Sequence, residues 1–164
     1  MVEAGWKGVV KRPAQASSEL SEAAALLEAS HEAFLGTVEE GEPFVSATGC
    51  LYEKGDADQG FGTLYLLLSH LARHTRNIGH NPEVSLLVVE KKDALPIHER
   101  KRLTVKGRAE RVEPGPLWET LKAKYLEAYP RSQIFFSLPD FQFYRIPVRE
   151  MHWIGGFGKA ATFR

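Results

Sequence analysis

Apolar residues first recur at helical spacing along the segment "ELSEAAALLEASHEAF". Most of these positions are three or four residues apart, and together they form one stripe: Leu20, Ala23, Ala24, Leu27, His31 and Phe34. Recurrence at this interval places side chains on one face of an α-helix. The pattern therefore predicts a helix over residues 19–34.

The pattern then changes to short apolar runs separated by polar, glycine-rich links. Two strands, "FLGTVEE" and "PFVSATGCLYE", are predicted on either side of the turn "EGEP". A polar loop, "KGDADQGFG", follows them. The run "TLYLLLS" predicts a third strand, and "LARHTRNIGH" predicts a short helix that ends near Gly79, Asn81 and Pro82.

Three further strands and one helix are predicted in the second half of the chain. "EVSLLVVE" and "RLTVKGRAERVE" are the fourth and fifth strands, separated by the loop "KKDALPIHERK". The helix "LWETLKAKYLEAY" has an apolar stripe at Leu117, Leu121, Tyr125 and Leu126, and Pro130 stops it. "QIFFSLPD" is ambiguous, and "FQFYRIPVREMHWIGG" is a sixth strand with Pro147 expected at an edge or a bulge.

Six strands joined mostly by short connections favour a mainly β fold. Parallel strands need long crossovers, so we expect an antiparallel sheet or small barrel with flanking helices. A chain of 164 residues suits one domain with a substantial core. We assign that domain to residues 19–164 and expect residues 1–18 to be a flexible leader.

Composition and charge exclude several classes of protein. The formal net charge is zero, so no overall field attracts nucleic acid or an anionic membrane, and any anion site must be local. The single cysteine, Cys50, excludes an internal disulfide, and its strand-like surroundings favour a small buried residue over a nucleophile. No run has the roughly 18 apolar residues of a membrane helix, and a cytoplasmic location is expected by default.

Three motifs resemble ligand sites without completing them. "GDADQG" begins like a calcium loop but lacks the glutamate at the twelfth position. "GGFGKA" lacks the glycine spacing of a dinucleotide-binding turn. His70 and His74 are four residues apart, as in a helical metal pair, but no further ligand stands at suitable spacing, so no metal site is predicted.

The segment "SHLARHTRN" places an unusual number of hydrogen-bond donors between two apolar strands. We expect Ser69 to cap the helix, Leu71, Thr75 and Ile78 to face the core, and Arg73, His74 and Asn77 to lie in the first turns. A helix start presents free N–H groups and a partial positive charge, so these residues could bind an anion together. The alternative is an amphipathic helix whose polar face meets only water.

These residues also carry a family resemblance. "LLLSHLARHTRNIGHNPEVSLLV" resembles the segment that holds the cofactor phosphate in the pyridoxamine 5'-phosphate oxidase-like FMN-binding split-barrel family, above all in its haem-utilisation-type branch. The resemblance covers about residues 19–160 and includes "LGT", "PFVSATG", "RLTVKGRAERV" and "HWIGGFGKA". It implies a six-stranded antiparallel split β-barrel and a homodimer that holds FMN between its subunits. It also implies an FMN-dependent oxidoreductase acting on an unidentified small molecule.

The resemblance assigns roles to particular residues. Arg73 and His74 match the phosphate-binding pair of the oxidases, assisted by Ser69 and Asn77. Ser46 falls near the position of an arginine that contacts the FMN phosphate. Arg102 falls near a glutamine that contacts the flavin ring, where its positive charge would stabilise the reduced flavin. No residue is singled out as a general acid or base.

The C-terminal segment departs from the oxidase pattern. "HWIGGFGKAATFR" lacks the Trp and Arg pattern that grips the substrate phosphate, so vitamin B6 chemistry is not assigned. Relatives that open haem oxidatively rely on a longer C-terminal segment with a histidine ligand, whereas His152 here precedes the glycines. A haem-binding or haem-utilisation protein and a catalytically silent regulatory binding protein remain the alternatives.

Overall fold

The computed structural model describes residues 10–11, 18–55 and 60–164. Two regular helices flank the sheet, and a third α-helix is short. The α-helices are α1 (Ser18–Ala29), α2 (Arg73–His80) and α3 (Pro116–Ala128), and a 3₁₀ helix covers Pro130–Ser137. The strands are β1 (Val10–Lys11), β2 (Glu32–Glu39), β3 (Glu42–Gly49), β4 (Leu51–Glu53), β5 (Thr63–Ser69), β6 (Glu83–Val89), β7 (Arg102–Arg108), β8 (Glu110–Arg111), β9 (Phe141–Ile154) and β10 (Ala160–Phe163).

The strands form a curled, almost entirely antiparallel sheet. Its main path runs β1-β10-β9-β7-β6-β2-β3, and among the strands that the structure describes only the β1–β10 pair is parallel. The long strand β9 belongs to two layers, because its first half pairs with β5 and its second half with β7. The predicted fold class, mainly β with flanking helices and consistent with a split barrel, is confirmed.

The first helix is shorter than predicted. α1 ends at Ala29, and Glu32 already begins β2. From Glu32 onward burial alternates with a period of two, with Ala33 and Leu35 buried and Phe34 exposed. Strand pairing of these residues with β3 and β6 overrides the helical spacing, so the prediction of a helix to Phe34 was wrong at its C-terminal end.

The strand count also differs from six. The predicted second strand divides at Cys50 into β3 and β4, and the fifth divides at Ala109 into β7 and β8. Two short strands, β1 and β10, were not predicted. Most of the predicted leader, residues 1–9 and 12–17, and the tip of the glycine-rich loop, residues 56–59, lie outside the described residues.

Pro147 lies beside an irregularity in the β7–β9 ladder, as expected. Lys106 pairs with Glu150 whereas Gly107 pairs with Val148, so one residue of β9 is passed over. A Cβ atom at Gly107 would lie 2.5 Å from the carbonyl oxygen of Pro147, so the close approach of the two strands here requires glycine. The bulge is where β9 passes from one layer to the other.

Two clusters of buried residues hold the layers together, and β5 contributes to both. Leu64, Leu66 and Leu68 join the larger cluster inside the barrel, whereas Tyr65 and Leu67 join a smaller cluster under α3. Burial on both faces explains why β5 is a continuous apolar run without alternation. The predicted stripe of α3 is confirmed at Leu121 and Tyr125, which are buried in the smaller cluster.

A tyrosine after α3 fastens the helix to the break between β3 and β4. The Tyr129 hydroxyl accepts the Cys50 N–H at 3.0 Å, and its proton faces the carbonyl oxygens of His31 and Cys50. Cys50 is buried, and burial raises its pKa to about 12. The thiol is thus protonated at neutral pH and is a packing residue in this structure.

None of the helices in the described part of the chain is long and apolar enough to cross a bilayer.

Candidate functional site

The segment between β5 and α2 does not begin the helix at the predicted residue. Residues 69–72 form a turn, closed by the Ala72 N–H on the Ser69 carbonyl at 3.1 Å, and Arg73 is the first helical residue. Ser69 is therefore not the helix cap. Its hydroxyl donates to the Asp140 carboxylate and accepts the Leu71 N–H at 3.2 Å. The hydroxyl proton of Ser69 is therefore directed at Asp140, just before β9, rather than at the helix terminus.

The first turn of α2 has unused backbone donors. The N-cap residue, Ala72, has no side chain able to accept a hydrogen bond. The amide groups of Arg73 and His74 have no acceptor among the described residues, while the next two amides, of Thr75 and Arg76, bond to the Ala72 carbonyl. Free N–H groups at a helix start attract an anion.

His74 and Ser46, distant in sequence, are brought together. The Ser46 hydroxyl, on β3, lies 3.1 Å from Nδ1 of His74. Burial lowers the pKa of His74 from its ordinary value of 6.5, so the ring is neutral at neutral pH. His74 therefore acts as a neutral hydrogen-bonding group here and adds no positive charge at that pH.

Arg73 contacts two groups of the β2–β3 hairpin. Its Nε and Nη2 both donate to one carboxylate oxygen of Glu39, with Nε at 2.6 Å. Its guanidinium carbon lies 4.6 Å from the centre of the Phe44 ring. The Arg73 side chain is 54% exposed, so the pair is at the surface and another anion can reach it.

Asn77 anchors α2 to the sheet. It is 3% exposed, and its side-chain amide donates to the Thr37 hydroxyl at 3.0 Å. Thr75 and Ile78 are buried beside it, as predicted, but Leu71 is 66% exposed and does not face the core. Asn77 thus places the first turn of α2 against β2 and β3, and its amide is already used within the protein.

Arg102 lies apart from the other predicted site residues. As the first residue of β7, it pairs with Val89 of β6, and β2 lies between β6 and the strand of Ser46. Its Nη1 donates to the Ile97 carbonyl at 2.5 Å. Within one chain, the structure therefore groups Ser46, Arg73 and His74, and two strands, β6 and β2, separate Arg102 on β7 from β3.

The sequence interpretation missed an apolar surface on the outside of β3, β2 and β6. We call it the outer sheet face and define it by Phe34, Val45, Ala47 and Leu87, which neighbour one another across the ladder. Phe34 is 51% and Val45 64% exposed. Phe34 was predicted both at the end of the first helix and at the start of the strand "FLGTVEE", and its exposed position on that strand was not considered. Alternation from Ala33 to Thr37 was the available signal.

A groove of about 720 Å³ opens at one end of the outer sheet face. Phe34, Ala47 and Val89 supply apolar atoms. The charged part of its lining is mixed, because Lys91 pairs with Glu32 at 3.1 Å and Arg100 pairs with Asp93 at 3.4 Å. A smaller cleft of about 390 Å³ lies between the end of α1 and residues 89–92. Neither of these two cavities is lined by the residues predicted to bind the cofactor.

The structure does not align His70 with His74 as a metal pair would require. His70 lies in the turn before α2, so the two do not share a helical face. In the described ranges, no three His, Cys, Asp or Glu side chains come close enough to hold a metal ion.

Comparison with known proteins agrees with this fold. Residues 20–154 match the family model described as pyridoxamine 5'-phosphate oxidase. The chain belongs to this family, and the similar solved structures include haem-utilisation proteins of the same split-barrel type.

Two relatives, HutZ and a haem-binding protein, illustrate the branch, and HutZ matches both as a sequence and as a solved structure. A curated protein of Vibrio cholerae named haem oxygenase HutZ is 35% identical over 99 residues, which are 58% of this chain and 56% of that protein. The match thus spans little more than half of the curated relative. A solved structure titled as HutZ, the haem storage protein of Vibrio cholerae, is 30% identical with a TM-score of 0.64, covering 79% of this chain and 89% of the other. A haem-binding protein of Mycobacterium smegmatis is 26% identical with a TM-score of 0.76, covering 89% and 57%.

Proposed function

We propose that this protein binds FMN through its phosphate at the first turn of α2 and acts as an oxidoreductase on a small molecule. The observation that carries the proposal is the meeting of unused helix N–H groups, the Arg73 guanidinium and the Ser46–His74 pair on one surface. A phosphate monoester has the charge and the several acceptor oxygens that such donors suit.

The N–H donors of these residues suit the oxygens of a phosphate group, although the charge around them is not strongly positive. Nη1 of Arg73 has no partner in the described part of the chain, and the amides of Arg73 and His74 also stay available. The neutral His74 ring can turn an N–H toward the ligand or accept from Ser46. These groups would bind and orient FMN, and the flavin itself would supply the redox chemistry.

We also propose that the working molecule is a homodimer with the flavin between its subunits. The outer sheet face exposes Phe34, Val45 and Leu87 side by side, and a patch of this kind on a sheet is typical of a protein interface. A second subunit would also cover the ring of a cofactor whose phosphate lies on the open surface of α2. In such a dimer, Arg102 can belong to the opposite half of the site.

Haem is a second candidate ligand, favoured by a different observation. HutZ of Vibrio cholerae and the similar protein of Mycobacterium smegmatis are both described as haem proteins. The groove beside Phe34 has apolar walls that suit a flat apolar ring. To bind carboxylate groups of such a ring, Lys91 and Arg100 would exchange their present partners, Glu32 and Asp93, for the ligand. An axial histidine is not identified.

The absorption spectrum of the purified protein, before and after addition of each ligand, tests the proposal. FMN binding predicts flavin bands that remain with the protein through gel filtration and are absent when riboflavin replaces FMN at the same concentration. A Soret band, with no retained flavin, would favour the haem candidate. Retention of neither ligand would favour a catalytically silent binding protein.

A further inference from the structure

The hairpin that faces α2 is acidic at its tip. Its turn runs through Glu39, Glu40, Gly41 and Glu42, with positive φ angles of 50° at Glu40 and 88° at Gly41. Two consecutive left-handed residues are typical of the tight two-residue turn that closes a β-hairpin. Glu39 and Glu42 form the last pair of the ladder, so the backbone that carries Glu39 is firmly placed.

The Glu39 carboxylate occupies the contact that an anionic ligand would make with Arg73. One oxygen receives both Nε–H and Nη2–H, while Phe44 holds the guanidinium from its face. The Arg73 hydrogen bond is the main reason why the pKa of Glu39 lies below its ordinary value of 4.5, so the carboxylate is charged at neutral pH. The Glu39 carboxylate of the protein itself thus holds the Arg73 guanidinium in one orientation.

We propose that Glu39 determines the affinity and selectivity of this site by competing with the ligand for Arg73. The inference rests on the proposed binding of FMN at α2. A phosphate that binds the Nε and Nη2 edge of Arg73 must replace the Glu39 carboxylate, and one that binds only at Nη1 lies beside it. In both cases the nearby negative charge of Glu39 carries an electrostatic cost. A dianionic phosphate with three oxygens can compensate for that loss, whereas a single carboxylate ligand would only exchange one equal contact for another.

The competing explanation is that Glu39 helps the ligand by orienting Arg73. The two explanations predict opposite signs for the change Glu39→Gln, which removes the charge and keeps the size of the side chain. Competition predicts tighter FMN binding in the variant. Orientation predicts weaker binding, because the arginine loses its fixed direction.

Glu42→Gln is the matched control. Glu42 acts on Arg73 through charge without a hydrogen bond, and it stands on the same hairpin. Dissociation constants for FMN and riboflavin are measured by fluorescence for the wild type, both single variants, Arg73→Ala, and Glu39→Gln combined with Arg73→Ala. We expect Glu39→Gln to bind FMN roughly threefold to tenfold more tightly and Glu42→Gln to change affinity by about twofold or less.

The combined variant tests whether the effect of Glu39 on affinity depends on Arg73. If Glu39 acts through Arg73, Glu39→Gln has no benefit once Arg73 is alanine, and riboflavin affinity is unchanged throughout. FMN preferred over riboflavin, with Glu39→Gln neutral or weaker, would overturn this inference alone. FMN bound no better than riboflavin by every protein would overturn the phosphate site and the inference with it.

Discussion

At the scale of single residues, the fold changes the titration of His74, a half-buried side chain in the first turn of α2. Burial holds its pKa below 6.5 in the folded protein. Between that lowered pKa and 6.5, the unfolded chain binds more protons than the folded one, so the free energy of unfolding rises with pH across this window. On acidification through 6.5, the contribution of His74 to stability is progressively lost.

We expect His74 to report ligand binding through its pKa. An NMR titration of the ring should give a pKa below 6.5 without ligand and a higher pKa with FMN, because a nearby phosphate favours the charged imidazolium. Riboflavin, which lacks the phosphate, is the control and should leave the pKa unchanged. Equal titration curves with and without FMN would place the phosphate away from His74.

At the scale of secondary-structure elements, Tyr129 links α3 to the β3–β4 break through one hydroxyl. Tyr129→Phe should lower the free energy of unfolding by about 1 kcal/mol, because the hydroxyl no longer donates to the carbonyls of His31 and Cys50. The Cys50 N–H keeps an acceptor in this variant, the His31 carbonyl at 3.1 Å. Urea denaturation measures the change. Tyr144→Phe is the control, since the half-buried Tyr144 hydroxyl has no hydrogen bond within the described residues. A similar loss in both variants would show that the hydrogen bonds of Tyr129 are not the cause.

The elements that were predicted well are those whose apolar pattern fits only one type of secondary structure. β5 matches the apolar run "TLYLLLS" residue for residue, and β6 differs from its prediction by one residue. Residues 30–34 satisfied helical and strand spacing alike, and only pairing with β3 and β6 decides between them. Local pattern cannot contain that information, because the partners are distant in the chain.

The candidate site, too, could be predicted from the sequence only in part. The donor-rich segment after β5 was visible in the sequence, as was its resemblance to a phosphate-binding segment. The Arg73–Glu39 pair joins residues 34 positions apart, and the Ser46–His74 contact joins residues 28 apart. Both depend on how α2 packs against the β2–β3 hairpin. The outer sheet face was missed because which face of these strands is exposed depends on packing between elements that are distant in the chain.

At the scale of the whole molecule, the proposed dimer can be tested on the outer sheet face. Light scattering should give about twice the chain mass of 18.4 kDa for the wild type. Val45→Glu should shift the protein toward the monomer, because burying an unpaired charge at an interface is unfavourable. Ile134→Glu is the matched control: Ile134 is 63% exposed, close to the 64% of Val45, but lies on the 3₁₀ helix. A wild-type monomer with FMN bound, or dissociation by the control alone, would contradict the proposal.

The central claim is that the first turn of α2 binds the FMN phosphate, and the affinity of Arg73→Ala tests it most directly. Removing a charge-assisted contact should weaken FMN binding by roughly tenfold to a hundredfold and leave riboflavin binding unchanged. Arg145→Ala, which removes an exposed arginine paired with Glu110 on β8, should change neither affinity. An unchanged FMN dissociation constant in Arg73→Ala, or a wild type that prefers riboflavin, would contradict the account.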